Sequence, residues 1–471
     1  MGEATRSICP VCFKTIPAER VRRENRIYLC KECDEHGRFE ALLWDERPTA
    51  SPEGGLGEAI SWDEWKIDGV NTPPVSFETA ASHGCPHDCG LCENHLQQAC
   101  CVLIEVTQRC DQNCRYCFAS AGPAAGSGED LTIDEIRAIY EDLLAKSPKR
   151  PFNIQLSGGE PTIRDDLPEI IRLGRDTGFP YIQLNTNGKR LAEEPGYAAS
   201  LRDAGLSSVF LQFDGTEDAV YEKIRGKALL KLKEQAIDSC AAAGLGTVLV
   251  VTVVPGVNDH DLGALLDFAI DRLPYVRGIH FQPVSYFGRY PSEPEDHDRI
   301  TIPELLAKLA DQSGGRLAAS QFVPLQTGHT MCSFHGNFVI MEDGSMISIS
   351  ADPKKGDCSC RQRSIENARN YIAKKWSYED KKTGTSTGGN YDFSSWDLFL
   401  ERAHTHGFSI TAMAFQDAWN LDLERLRKCR VHIALKDGRL MPFCAYNIIH
   451  RYGKPERDLS PGEQDQRGNG I

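Results

Sequence analysis

The sequence has no apolar run approaching the roughly 18–20 residues that a membrane-spanning helix needs. Its opening stretch, M-G-E-A-T-R-S-I-C-P, lacks the apolar core of a secretory signal. Ser7 also falls at the wrong spacing from Gly2 for myristoylation. The expected location is therefore cytoplasmic, with at most peripheral contact with a membrane. Positive charge is short as well: 53 Lys and Arg against 67 Asp and Glu leave a net charge of −14. A general nucleic-acid binder needs a basic face to meet phosphate, so that class is excluded. Cysteine, by contrast, is abundant, at 18 of 471 residues. A disulfide framework is the wrong reading for a large chain without an export signal whose cysteines cluster at metal-ligand spacing. They point to a reducing interior and metal sites.

Composition and punctuation divide the chain. Residues 1–45 surround Cys9, Cys12, Cys30 and Cys33, a C-x2-C…C-x2-C pattern that fits one tetrahedral metal, zinc or a rubredoxin-like iron. Residues 46–100 begin with a Pro/Gly-rich linker and continue as a loop-rich segment with Cys85, Cys89 and Cys92. Residues 101–300 alternate short β-branched runs with helical stretches: C-V-L-I-E-V, F-N-I-Q-L, Y-I-Q-L, S-V-F-L-Q-F, T-V-L-V-V-T-V-V and G-I-H-F-Q-P-V. Six such β/α units predict a parallel α/β fold, either a partial barrel or an open sheet. Thr132 and Glu135 form a capping box for the first helix. Residues 301–453 carry Cys332, Cys360, Cys429 and Cys444 and two hairpin patterns with D-G turns, and residues 372–394 read as a mobile loop. Residues 454–471 read as a disordered tail.

The chemistry concentrates where the first four strands end. Cys110, Cys114 and Cys117 follow the first strand in R-C-D-Q-N-C-R-Y-C-F. Three thiolates hold three irons of a four-iron cube and leave the fourth open, which is the logic of a catalytic metal site. Gly158-Gly159-Glu160 closes the second strand, Asn185 and Asn187 the third, and Gln212 and Asp214 the fourth. In a parallel barrel all of these face one mouth. Gln282, at the end of the sixth strand, is a further candidate for it.

A C-x3-C-x2-C-aromatic motif after a first strand, with G-G-E after the second, resembles the radical S-adenosylmethionine superfamily. The resemblance implies a partial (β/α)6 barrel, a [4Fe-4S] cluster on Cys110, Cys114 and Cys117, and S-adenosylmethionine as the source of a 5′-deoxyadenosyl radical. It implies that Phe118 lies near the adenine and that Gly158, Gly159 and Glu160 hold the methionine amine. Asn185, Asn187, Gln212, Asp214 and Arg225 are its further cofactor contacts. Cys85, Cys89 and Cys92 are read as a second cube with Cys100 or Cys101 as a fourth thiol, and Cys332, Cys429 and Cys444 with Cys358 or Cys360 as a third, zinc being the alternative at these C-terminal cysteines.

The four-Cys N-terminal unit, G-C-P-H-D-C-G-L-C, and Pro442-Phe443-Cys444-Ala445-Tyr446-Asn447 together resemble the tetraether lipid synthase group. That resemblance implies C–C coupling on a lipid chain, with a ferredoxin- or flavodoxin-type electron donor. Relatives that methylate a pterin supply the main alternative, and a compact polar pocket in place of an apolar tunnel would mark it. Maturation of a peptide, or electron transfer without turnover, are the remaining readings. Release of 5′-deoxyadenosine would eliminate the last.

Overall fold

The computed structural model describes residues 2–48, 59–67, 71–74, 77–123, 130–149, 151–325, 327–350, 365–378, 399, 402–403 and 405–451. Cys358, Cys360 and the 454–471 tail lie outside them.

The N-terminal residues form an antiparallel sheet in the order β1 (Glu3–Ile8), β2 (Thr15–Arg23), β3 (Arg26–Cys33) and β4 (Gly37–Asp45). Its inner face carries Ile27, Leu29 and Trp44, and Trp44 packs against Trp62 and Trp65 of the following segment. The sheet docks on the C-terminal part of the chain through buried polar contacts. Arg20 Nε donates to Asp422 Oδ2 at 2.6 Å, and Lys31 Nζ donates to the Ala418 carbonyl at 2.8 Å.

The six expected strands are present as β5 (Cys101–Thr107), β6 (Asn153–Gly158), β7 (Ile182–Thr186), β8 (Ser208–Gln212), β9 (Gly246–Val253) and β10 (Val276–Pro283). Each pairs with the next in parallel. Helices such as Ile133–Lys146 and Leu167–Thr177 connect them and bury Ile136, Tyr140, Leu143, Ile170 and Ile171. Each such apolar side chain removed from water contributes about 1.5–3 kcal/mol. The Thr132–Glu135 capping box forms as its spacing predicts.

Residues 301–453 extend this same sheet at both edges. β11 (Val323–Pro324), β12 (Ser333–Ile340), β13 (Met346–Ser348) and β14 (Gly407–Met413) continue beyond β10, with β14 parallel to it. β15 (Val431–Ala434) lies parallel to β5, and β16 (Leu440–Pro442) folds back on β15. Both D-G hairpins form, at β12–β13 and β15–β16. The loop expected from residue 372 onward is corrected at its start: Ile365–Trp376 is one helix. Its indole packs 5.3 Å from the Phe210 ring, an apolar anchor that the polar flanking sequence conceals. Among the described residues no helix is long and apolar enough to cross a membrane.

Candidate active site

The strand ends converge on one cavity of about 660 Å³. At its mouth stand Cys110, Cys114, Cys117 and Phe118 on the loop after β5, and Gly158, Gly159 and Glu160 after β6. Asn185, Asn187, Gln212, Arg225 and Gln282 line it as well. Eleven of the twelve candidate residues at the cluster and the cofactor thus share it with Gln282; Asp214 does not.

Backbone packing explains the two glycines. Gly158 has φ +122°, and a Cβ there would lie 2.0 Å from the Thr107 carbonyl oxygen. A Cβ on Gly159 would lie 2.1 Å from the Arg109 carbonyl oxygen. Only glycine lets the end of β6 close on the cysteine loop. The amides of Gly159 and Glu160 then donate to the Thr107 and Arg109 carbonyls, each at 2.9 Å. Glu160 itself is buried and accepts from Thr162, from Thr186 Oγ1 at 2.7 Å and from the Asn187 amide at 2.6 Å. Burial raises its pKa, and these hydrogen bonds oppose the rise. Most of its acceptor capacity is spent on joining the loops after β6 and β7.

Asp214 is turned away from the cavity by an ion pair. It holds Arg225 Nε at 2.7 Å and Nη2 at 2.8 Å, and both side chains are buried. Arg225 Nη1 in turn donates to the Tyr116 carbonyl at 2.9 Å, inside the cysteine motif. Asp214 therefore acts as a positioning residue, reaching the site through Arg225. Sequence reasoning missed two further braces. Arg289 Nε donates to the Cys114 carbonyl at 2.6 Å, and Arg289 pairs backbone to backbone with Cys117. Lys233, fully buried, bridges the Asn187 carbonyl and Gln212 Oε1 at 2.5 and 3.0 Å.

The cysteine loop fits a four-iron cluster. Its three sulfurs border the cavity, and they do not all lie within 4.8 Å of one another, so they span more than a single ion's ligand shell. Burial pushes the Cys110 thiol up to about 12, with the charges of Glu160 and Cys114 adding to it. Thiolates here need a compensating metal.

Below the mouth the barrel lumen is lined mainly by apolar side chains such as Leu103, Val250, Phe287 and Leu325, with a strip of polar groups set into it. Gln155, Gln183, Asn153, Thr411, His280 and Asn337 line it, closed underneath by Trp376 and Phe210. Gln183 is buried, and its Nε2 has no hydrogen-bond partner. Gln112, between the cluster cysteines, likewise has an unpartnered buried Nε2. His280 is held neutral, its imidazole pushed down to about 3 by burial, and its Nδ1 lies 2.8 Å from Thr411 Oγ1. The visible signal was a Gln at alternate positions of apolar strands: Ile154-Gln155-Leu156, Ile182-Gln183-Leu184, Leu211-Gln212-Phe213.

The other cysteines regroup. Cys89 feels the charges of Cys85, Cys92 and Cys429, and Cys429 and Cys444 both feel Cys332. Residues 94–100 and 427–430 are stitched together by backbone hydrogen bonds, including Leu96 N to Arg427 O at 2.7 Å. The thiol beside the Cys85 set is therefore Cys429. Cys101, expected in that role, instead lines the lumen, 3.6 Å from Gln155 Oε1, because the alternation of β5 points it inward. In the N-terminal sheet, Cys9, Cys12 and Cys33 gather with His36, and Cys30 stands apart on the opposite face of β3. Three of the four expected thiols are thus brought together, and the fourth is not. Phe118 packs on Phe443 at 5.6 Å, which joins the motif loop to the C-terminal P-F-C segment.

Comparison with known proteins agrees with this architecture. Residues 104–269 match the radical SAM superfamily model, and residues 1–45 match the HMPTM N-terminal zinc ribbon domain. The chain is 33% identical over 517 aligned residues to the 7,8-dihydro-6-hydroxymethylpterin dimethyltransferase of Methanocaldococcus jannaschii, covering 100% of this chain and 98% of that one. It is 31% identical over 171 residues to the GTP 3′,8-cyclase of Erythrobacter litoralis, covering 36% of this chain and 50% of the cyclase. Among solved structures, anSMEcpe with bound AdoMet aligns with a TM-score of 0.37 at 16% identity, over 45% of this chain and 58% of that chain. The chain belongs to the radical S-adenosylmethionine superfamily and, within it, to the family of the archaeal pterin dimethyltransferase.

Proposed function

We propose that this radical S-adenosylmethionine enzyme transfers methyl groups to a reduced pterin or a closely similar nitrogen heterocycle. The full-length relative supports this reading, and the lumen carries it. Gln183 offers a buried amide donor with no protein partner, on a wall shared with Gln155, Asn153 and Asn337. Buried polar groups are nearly always paired, so an unpaired donor at a cavity wall marks a ligand contact. Side-chain amides present a donor and an acceptor side by side, which matches the edge of an aminopyrimidinone ring. A hydrocarbon chain would leave the Gln183 amide desolvated and unmatched, at about 1–3 kcal/mol. The relatives give the tetraether lipid reading no support, and they favour the heterocycle alternative.

When bound, the cluster and one molecule of S-adenosylmethionine would supply hydrogen-atom abstraction, and a second molecule would supply the methyl group. This chain's residues supply the rest. Cys110, Cys114 and Cys117 hold the cluster, Arg225 and Arg289 fix the loop through its carbonyls, and Glu160 locks the neighbouring loops. The amides set into the lumen below, Gln155 and Gln183 among them, would orient the heterocycle. A one-electron donor of ferredoxin or flavodoxin type would complete the system.

Anaerobic reconstitution with S-adenosylmethionine carrying a labelled methyl group, offered 7,8-dihydro-6-hydroxymethylpterin and an isoprenoid diether lipid in parallel, tests the reading. The expected product is a labelled pterin, detected by mass spectrometry. Unlabelled pterin alongside a coupled lipid would overturn it.

A further inference from the structure

Four cationic side chains stand in the wall of the lumen, against one carboxylate, Glu160 at the mouth. Two of the cations are engaged there. Arg225 is held by Asp214, and Arg289 donates to the Cys114 and Ala121 carbonyls. The other two, Arg430 and Lys375, stand at the opposite end, where the strands begin. The Arg430 carbonyl accepts from the Cys100 amide at 2.7 Å, at the start of β5. The cysteine loop follows the far end of that seven-residue strand, about 20 Å away. Lys375 lies beside the start of β14, where a Cβ built on Gly407 would meet its Nζ at 3.7 Å.

Neither cation has a carboxylate partner among the described residues. Arg430 is buried, and its guanidinium donates from Nη1 to Thr327 Oγ1 at 3.0 Å. That bond crosses the seam of the partial barrel, since Arg430 precedes β15 and Thr327 follows β11, on opposite flanks of the sheet. The guanidinium is felt inside the lumen: burial first, and the Arg430 charge second, push the His280 imidazole down to about 3. Burial also pushes the Lys375 ammonium down, with the charges of Arg277 and Lys374 adding to it. Buried charges are ordinarily paired, so the counter-charge missing here is one that a ligand can bring. A guanidinium presents parallel N–H groups that match a phosphate, and two cations suit a dianion, which a phosphate monoester nearly is at pH 7.

We infer that the inner end of the lumen is an anion site, where Arg430 and Lys375 receive a phosphate carried by the substrate. Gln155 Oε1 lies 3.6 Å from Cys101 Sγ, and the Cys101 amide donates to the Arg430 carbonyl, so the amides and the guanidinium occupy neighbouring levels. On the heterocycle reading above, on which this assignment rests, the ring lies against Gln155 and Gln183, and a phosphate on its hydroxymethyl arm reaches Arg430. The form turned over best is then the phosphate ester, ahead of the free alcohol.

The test compares the reconstituted full-length enzyme with its Arg430→Met, Arg430→Lys and Lys375→Met variants, held anaerobically with S-adenosylmethionine. Each is offered 7,8-dihydro-6-hydroxymethylpterin and the phosphate ester of its hydroxymethyl group. The wild type should favour the ester in kcat/KM. Arg430→Met should cut that preference about 10–100-fold, the range of one charged hydrogen bond, with Arg430→Lys and Lys375→Met losing less. No preference in the wild type would overturn the site. So would an Arg430→Met loss shared equally by both forms, the mark of a seam brace only. Should Arg430→Met not fold, the preference measured in Arg430→Lys and Lys375→Met decides in the same way. If neither pterin is methylated, the heterocycle reading fails by itself, and titration calorimetry with inorganic phosphate and pyrophosphate decides the site. Binding to the wild type that weakens in the variants supports it, and absence of binding to the wild type overturns it.

Discussion

Two regions of this chain gather cysteines for metal, and they do so in opposite ways. In the N-terminal sheet the donor atoms crowd within 4.8 Å on a knuckle and a hairpin turn, at a distance from the barrel cavity. At the end of β5 the three sulfurs are wider apart and border a cavity of about 660 Å³. A metal held in the first arrangement would be enclosed by its donors. The second leaves a coordination position facing space where a substrate can enter. The supports differ too. The knuckle rests on short-range strand geometry, and the motif loop is braced by buried charge, with Asp214–Arg225 and Arg289 gripping its carbonyls.

The contrast can be broken most strongly at its catalytic end. Changing Cys110, Cys114 and Cys117 together to Ala should remove the cluster and abolish 5′-deoxyadenosine release, leaving the N-terminal zinc in place. Iron and zinc analysis beside a cleavage assay checks this, and cleavage that persisted would move the active site elsewhere. Next in size is Asp214→Asn, which strands the buried Arg225 charge. Removing one partner of a buried pair typically costs about 3–5 kcal/mol. Denaturant unfolding should show a loss of that order, together with weaker S-adenosylmethionine binding. Gln183→Leu should raise the KM for the heterocycle about 10–100-fold, the equivalent of one lost buried hydrogen bond. Stability and substrate-free cofactor cleavage should stay as in the wild type, because that amide has no partner within the protein. The smallest effect concerns Lys233, whose ammonium burial pushes down from 10.5 to about 8. Between about pH 8 and 10.5 the unfolded chain holds a proton there that the folded chain has released, so this residue makes stability rise with pH. Thermal unfolding of Lys233→Met over that window should lack the wild type's share of the rise, and identical slopes would show that Lys233 does not titrate there.

Much of the barrel was legible. Runs such as Thr247–Val254 are β-branched and too short for helices, and the Thr132–Glu135 pair marks a helix start by its own hydrogen bonds. The cluster motif and the glycine pair were legible because their spacing is dictated by local chemistry. What stayed hidden depends on faces and on distant pairings. Cys30 and Cys33 look equivalent in sequence until the strand carries through both of them. Asp214 stands among cavity residues, and Arg225, a helix away, turns it aside together with the Thr252 amide. Cys429 could not be matched to Cys89 by counting cysteines, because the connection is made through the backbone of residues 94–100. The polar strip in the lumen was written openly in the strands, as glutamines between apolar neighbours, but apolar content dominates the reading of a short run.

The sheet's outer strands carry a last consequence. Cys101, at the start of β5, finds its lateral neighbour in Val431, and Gly278 of β10 finds its own in Ser409. During synthesis the parallel run therefore emerges with both flanks bare, and pairings so remote in sequence close slowly. Both flanks of the barrel therefore close only once residues 407–434 have arrived.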